Sequence, residues 1–393
     1  MTAVHETRAH IAASAAALRD ELVPSDDLGR LSDRAVEILR DSGGMRLLQA
    51  KDLGGFEEHP NEFFDWVTQV GTEHPSAGWI AGVVGVHPWE ISIMDPRLQE
   101  EIFGADPDVL TASPYAPFGR AVRVDGGFRF SGRWPYSTGT DHAGWIILGG
   151  MVADASGVPL SPPDVRHFVL PRGDWTIVDD SWNVMGLRGT GSKDVVIDDV
   201  FVPGHRVSEA PRMYDGSYAR ERRPDSPLFQ MMFGLMFPAA IAAGTFGVAR
   251  HAIRAFGEAM ESKVSVAGTA ARTSAIQVER LASAEADIEA SISHFRSAIA
   301  ELYAFVDDGG EISLDQRHRF RRDQVRATGR CVEAIDRLFL HSGSTAMGDA
   351  HPVSRAWRDL HVASTHICNN SELTYQAWGA HRFGGPIPPG VAF

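Results

Sequence analysis

The chain has 393 residues, 44% hydrophobic and 22% charged, which suits two or three globular domains whose core needs no covalent staples. A formal net charge of −14 is opposite to what a phosphate backbone demands, and the one basic cluster, Arg317 to Arg330, is broken by Asp323 and reads as a helix face, so no nucleic-acid partner is expected. Cys331 and Cys368, the only two cysteines, cannot build a disulfide framework, and a reducing cytoplasm is the expected compartment.

Met1 to Ala17 is polar and alanine-rich, without the apolar stretch of a signal peptide. From His5 to about Phe103 the grammar is helical. Leu28, Leu31, Ala35, Ile38 and Leu39 recur at three- and four-residue spacing, with Ser32 and Glu37 offering helix-start chemistry. Asn61 is the expected cap of a helix carrying Phe63, Phe64, Trp66 and Val67.

Between Val109 and Val207 the text changes to short alternating runs. These are Ala121–Val124, Phe128–Phe130, Trp145–Leu148, Arg166–Leu170 and Asp194–Ile197, with Asp125-Gly126-Gly127 as a hairpin turn. Short strands at this spacing predict a β-sandwich or barrel-like domain.

From Ser226 onward the pattern is helical again. The longest uncharged apolar run, Met231 to Ala249, contains Pro238 and several glycines and reads as a buried helix pair or bend, so no membrane contact is expected. Thr273–Val306 and Leu314–Leu340 are long amphipathic helices, closed by Asp307-Asp308-Gly309-Gly310 and Ser342-Gly343-Ser344. The architecture is therefore mainly α with a central β-domain: an N-terminal helical domain over 1–108, the β-domain over 109–207 and a C-terminal helical bundle over 208–393.

Three stretches resemble the acyl-CoA dehydrogenase superfamily. Gly186-Leu187-Arg188-Gly189-Thr190-Gly191-Ser192, followed by Val195-Val196-Ile197-Asp198-Asp199-Val200-Phe201-Val202-Pro203, resembles the motif that closes its β-domain. Leu340–Gly348, with Pro352-Val353 and Trp357-Arg358-Asp359, resembles its C-terminal glycine-rich turn and helix. Trp134-Pro135-Tyr136-Ser137-Thr138-Gly139 sits where the superfamily places a flavin-facing segment. One departure decides the chemistry. Most dehydrogenases of this fold place a catalytic Glu nine residues after the matching Arg; here that position is Ile367, with His366 beside it.

His366, together with Val86-His87-Pro88-Trp89, Ala112–Pro117 and Ser137–Ala143, resembles one branch: the oxygenase components of two-component flavin-dependent aromatic hydroxylases. Within it the similarity is nearest to the monooxygenases acting on a 3-hydroxy-seco-steroid in bacterial steroid breakdown, with p-hydroxyphenylacetate hydroxylase and the dibenzothiophene oxygenase more distant. The resemblance implies reduced FMN or FAD as cosubstrate, delivered by a separate NAD(P)H-dependent reductase, and O2. It also implies a C4a-hydroperoxyflavin that hydroxylates a phenolic substrate, polycyclic and steroid-derived ones included, and a homotetramer. An acyl-CoA dehydrogenase-like flavoprotein with bound FAD, its base on another helix, stays open as an alternative, as does a sulfur- or nitrogen-oxidising monooxygenase of the same fold.

The resemblance also assigns roles. His87 orients the substrate and takes its proton, although its apolar surroundings alone suit a core histidine bonded to a carbonyl. His366 stabilises the oxygen adduct, and Ser137 bonds the flavin near N5, with a turn-satisfying serine as the plain alternative. Ser113, Tyr115 and Trp89 are expected at the substrate; Trp134, Thr138, Gly139 and Ser192 join Ser137 and His366 at the flavin. No metal is expected, because His361 and His366 are five apart and share no helix face with a third ligand.

Overall fold

The computed structural model describes residues 3–264 and 268–386; residues 1–2 of the segment read for a signal peptide, and 265–267 and 387–393 of the C-terminal domain, lie outside them. Helices come first: α1 (Ala3–Ala13), α2 (Ala15–Asp20), α3 (Leu22–Leu28), α4 (Asp33–Asp41), α5 (Pro60–Glu73), α6 (Pro75–Gly85), α7 (His87–Ile91) and α8 (Pro96–Phe103). Ser32 caps α4 as expected, its Oγ accepting from the Ala35 N–H at 3.1 Å. The cap of α5 is His59 rather than Asn61. Pro60 fills the first helical position, where its missing N–H costs nothing, and His59 Nδ1 accepts from Asn61 N at 3.0 Å.

Strands follow: β1 (Thr111–Ala112), β2 (Gly119–Val124), β3 (Gly127–Ser137), β4 (Trp145–Ala153), β5 (Val165–Pro171), β6 (Thr176–Val178), β7 (Lys193–Pro203) and β8 (Val207–Glu209). They join in one eight-stranded sheet of order β6-β7-β3-β2-β4-β5-β8, with β1 beside the start of β4. The Asp125-Gly126 turn closes the β2–β3 hairpin, Val124 pairing with Gly127 and Gly126 holding φ 75°. The sheet keeps its own apolar cluster, centred on Phe130, Trp134 and Phe168.

The second helical block comprises α9 (Ala210–Tyr214), α10 (Ser217–Arg222), α11 (Phe233–Ser262), α12 (Ala275–Asp307), α13 (Leu314–Phe339), α14 (Pro352–Ser364) and α15 (Ser371–Arg382). The apolar run read as a helix pair or bend is one continuous 30-residue helix, α11. Pro238 lies close to its start, so its ring displaces only an early carbonyl and the helix continues. Apolar residues of both helical blocks form a single cluster, with α11 against α5 and α6 at its centre.

Glycine sets how close these helices come. A Cβ on Gly78 would stand 2.2 Å from Gly71 Cα, and one on Gly247 2.8 Å from the same atom, so α5, α6 and α11 touch backbone to backbone there. All eleven residues of α6 are buried, and its far face brings Trp79 and Val83 to the site.

Candidate active site

A cavity of about 740 Å³ opens where α6, the loop after β1, the end of β3, the turn before β7 and the end of α14 converge. Two motifs singled out in the sequence build it by docking on each other. A Cβ on Gly186 would meet the Arg358 backbone at 2.5 Å, the Leu187 N–H donates to Asp359 Oδ1 at 2.6 Å, and Arg358 Nε donates to the Met185 carbonyl at 2.9 Å. Burial pushes the Asp359 carboxyl up to about 7 despite that backbone donor. Met185 and Leu187 on one side, and Val362 and His366 on the other, thereby line the same space. At the mouth, Tyr136 occupies a β-bulge of β3 with φ 64° and is 72% exposed, a strained position that re-aims one ring toward the opening.

His87, fully buried at the start of α7, does not itself line the cavity; Ser113 does. The Thr111 carbonyl can only accept, so His87 Nδ1 carries the proton that bonds it. Burial pushes the ring down to about 4, a nearby Glu90 acting the other way, and the neutral imidazole therefore turns an Nε2 lone pair to Ser113 Oγ at 2.8 Å.

His366 lines the cavity beside Trp79, 5.7 Å away, and Phe237, 6.0 Å away. Its Nδ1 accepts the Cys368 N–H at 3.2 Å. Burial, with the Arg321 guanidinium behind it, brings this ring to about 4 as well, so its proton resides on Nε2. Ile367, at the position where dehydrogenases of this fold keep a Glu, also lines the cavity. Among the described residues, no Asp, Glu, Lys or Arg does so.

The third polar element is a chain of hydroxyls. Thr190 Oγ1 donates to the Leu187 carbonyl at 2.8 Å, which obliges Ser192 Oγ to donate to Thr190 at 2.9 Å. Thr138 Oγ1 must then donate to Ser192, also at 2.9 Å. With every proton committed, these three cavity-lining oxygens have only lone pairs to offer a ligand.

The remaining expectations divide. Tyr115, Thr138 and Ser192 line the cavity. Ser137 does not: its Oγ is buried without a hydrogen-bond partner, neither at the cavity wall nor on a turn carbonyl. Gly139 shapes the turn with φ 71° and donates its N–H to the Thr190 carbonyl at 3.1 Å. Trp134 belongs to the core of the sheet, its indole N–H donating to the Gly149 carbonyl at 2.8 Å. Trp89, expected at the substrate, is a core residue that donates to the Leu228 carbonyl at 3.0 Å and stacks on Phe229. The Phe229 and Phe233 rings on its faces and the carbonyl for its N–H explain the difference, since a ring buried there removes more surface from water than a pocket edge would.

Residues 239–371 match the C-terminal domain of acyl-CoA dehydrogenases. The oxygenase subunit HsaA of a flavin-dependent monooxygenase from Rhodococcus jostii is 38% identical over 372 residues, spanning 94% of this chain and 96% of that protein. The chain belongs to the flavin-dependent monooxygenase oxygenase subunits. The crystal structure of 3-HSA hydroxylase from Rhodococcus sp. RHA1 superposes on this oxygenase with a TM-score of 0.91 at 38% identity, covering 98% of both chains. XiaF from a Streptomyces species, solved with FADH2 and glycerol, superposes with a TM-score of 0.92 at 26% identity over 99% of this chain and 98% of that one. The oxygenase thus has an acyl-CoA dehydrogenase fold, works with reduced flavin and O2, and relies on a separate reductase as the other component.

The cavity fits that cofactor. Trp79, Val83 and Phe237 give it apolar walls, and the lone pairs of Thr138, Thr190 and Ser192 suit the ring N–H groups of a reduced flavin. At about 740 Å³ it has room for a tricyclic ring and an aromatic guest together.

Proposed function

We propose that this oxygenase hydroxylates a phenolic aromatic compound, with polycyclic and steroid-derived phenols as the substrate class. The observation behind this is the Ser113–His87 pair. A neutral imidazole whose lone pair is reached from the cavity through one hydroxyl can take the proton of a phenol bound against Ser113. Ser113 passes its own proton to His87 Nε2 and receives the phenol's in exchange. A histidine held near 4 does not strip a resting phenol, whose ordinary value is about 10. It takes the proton as the new carbon–oxygen bond forms and the ring hydroxyl becomes acidic.

Reduced flavin with O2 supplies the electrons and the activated oxygen atom. His366, with its proton on Nε2, donates a hydrogen bond toward that end of the cavity, and the Thr138–Ser192–Thr190 chain accepts from the flavin. The apolar walls would hold water out, which favours oxygen transfer to the substrate over release of H2O2. The absence of any cavity-lining carboxylate among the described residues speaks against proton abstraction from a thioester. Exposed Ile276 and Val278 on α12, and Leu340 at the end of α13, support a homotetramer, and the cytoplasm is the proposed compartment.

Phenols of increasing size, up to seco-steroid phenols, offered with NADH and a general flavin reductase test the reading. Hydroxylated product from free phenols, and none from their methyl ethers, is expected. Equal turnover of the ethers, or no product from any phenol, overturns it.

A further inference from the structure

Behind the Ser113–His87 pair lies a buried polar cluster that this reaction does not use. Glu90 follows His87 by three residues on α7 and is fully buried. Its Oε1 meets His167 Nδ1, on β5, at 2.8 Å, and its Oε2 accepts the hydroxyl proton of Tyr115. Among the described residues no Lys or Arg pairs with this carboxylate; the ionisable groups facing it are His87, Tyr115, His167 and Tyr214. A carboxylate placed in a core without a guanidinium or ammonium is expensive, and hydrophobic residues of that size would pack there at less cost. The arrangement therefore points to a role beyond stability.

Two consequences follow from the geometry. Tyr115 lines the cavity, yet its proton is committed inward, so its oxygen has only lone pairs left for a ligand. Burial and the adjoining Glu90 hold its phenol well above the usual range, which keeps that proton in place. The same carboxylate raises the proton affinity of His87, against the burial that lowers it.

Resting on the phenol-hydroxylating reading above, we propose that Glu90 is a positioning residue of the proton relay. Its charge favours the imidazolium that His87 becomes, and its hold on the Tyr115 proton makes the Tyr115 oxygen a second acceptor for the substrate hydroxyl. In the step it assists, the phenol O–H bond breaks, its proton moves to Ser113 Oγ, and the Ser113 proton moves to His87 Nε2. These transfers accompany formation of the new carbon–oxygen bond, so a ring carbonyl and an imidazolium remain.

The test is E90Q, which keeps the shape and removes the charge, assayed with ring-fluorinated phenols of increasing acidity. Wild-type product yield is expected to vary little along the series. E90Q is expected to lose about tenfold or more with the least acidic phenol and to recover nearly fully with the most acidic, since that substrate needs little help to ionise. An equal loss with every phenol makes Glu90 a structural support and overturns the proposal. Should E90Q not fold, Tyr115→Phe on the intact carboxylate decides: an equal loss with every phenol is what removing an acceptor beside an intact charge gives and supports the proposal, and a steep acidity dependence transfers the role of the charge to Tyr115 and overturns it. Absence of product from wild type with all phenols sinks the functional reading instead, and the two failures are distinct.

Discussion

His87 and His366 flank one aromatic ring, Phe237, at centroid distances of 6.5 and 6.0 Å. Burial brings both imidazoles down to about 4, so charge does not distinguish them. The backbone does. A carbonyl from Thr111 fixes the His87 proton on Nδ1 and frees Nε2 to accept, whereas the Cys368 amide takes the His366 Nδ1 lone pair and leaves Nε2 as a donor. Two identical side chains become an acceptor and a donor through one backbone partner each.

The largest expected effect is on the acceptor. His87→Ala leaves the Ser113 hydroxyl without its partner and should lower hydroxylated product by about 100-fold or more at neutral pH, while NADH oxidation continues and its electrons appear as H2O2. Product chromatography alongside a peroxide assay measures both. Undiminished product would mean that the two rings do not differ in the way proposed.

On the donor side a smaller change of another kind is expected. Replacing His366 by Ala removes one hydrogen-bond donor, worth about 1–3 kcal/mol, and should raise the ratio of H2O2 to product roughly tenfold. His366→Asn keeps an N–H near the same place and should recover part of the coupling. An Asn variant no better than Ala would assign the effect to packing against Trp79 and Phe237. Smaller again is Thr190→Val, which frees the Ser192 proton and lets the hydroxyl chain reverse. Reduced flavin should bind about fivefold more weakly, close to ~1 kcal/mol, with oxidised flavin little affected; anaerobic titration of both redox states separates the two.

The sequence carries the fold far better than it carries this proton logic. Helix, strand and helix regions differ in the period of their apolar residues, and α12 and α13 fall within a residue or two of expectation at both ends. His366 was readable because a missing Glu drew attention to it, and its cap role follows from neighbours two residues on. The His87 tautomer was not readable, since Thr111 lies 24 residues away. Glu90 stands next to the Val86–Trp89 segment but is not legible from it, because its partners lie 25 and 77 residues distant and give no local period. Thr190 sits inside the Gly186–Ser192 motif, where its hydroxyl two residues before Ser192 is the available signal. Ser137 and Thr138 are both expected at the flavin, but the bulge at Tyr136 breaks the alternation of β3 and buries the Ser137 side chain, so that Thr138 alone of the two reaches the cavity.

The smallest effect reaches the comparison through stability alone. An imidazole at about 4 in the folded chain and near ~6.5 in the unfolded one binds its proton first when unfolded, so stability is intact above pH 6.5 and declines as pH falls toward 4. His74, His251 and His318, none of which lines the cavity, share the displacement to about 4, so five buried rings act together, His87 and His366 among them. Asp359, pushed up to about 7, opposes them, because it holds a proton when folded that it releases when unfolded. Removing one ring therefore subtracts at most one proton from the slope, about 1.4 kcal/mol per pH unit. Denaturant titrations of His87→Gln between pH 4.5 and 6.5 should be flatter than those of wild type by up to that amount, whatever the variant's stability at pH 7. A slope equal to that of wild type would mean that His87 is charged in the fold; with both ring nitrogens then donors, the contrast with His366 disappears.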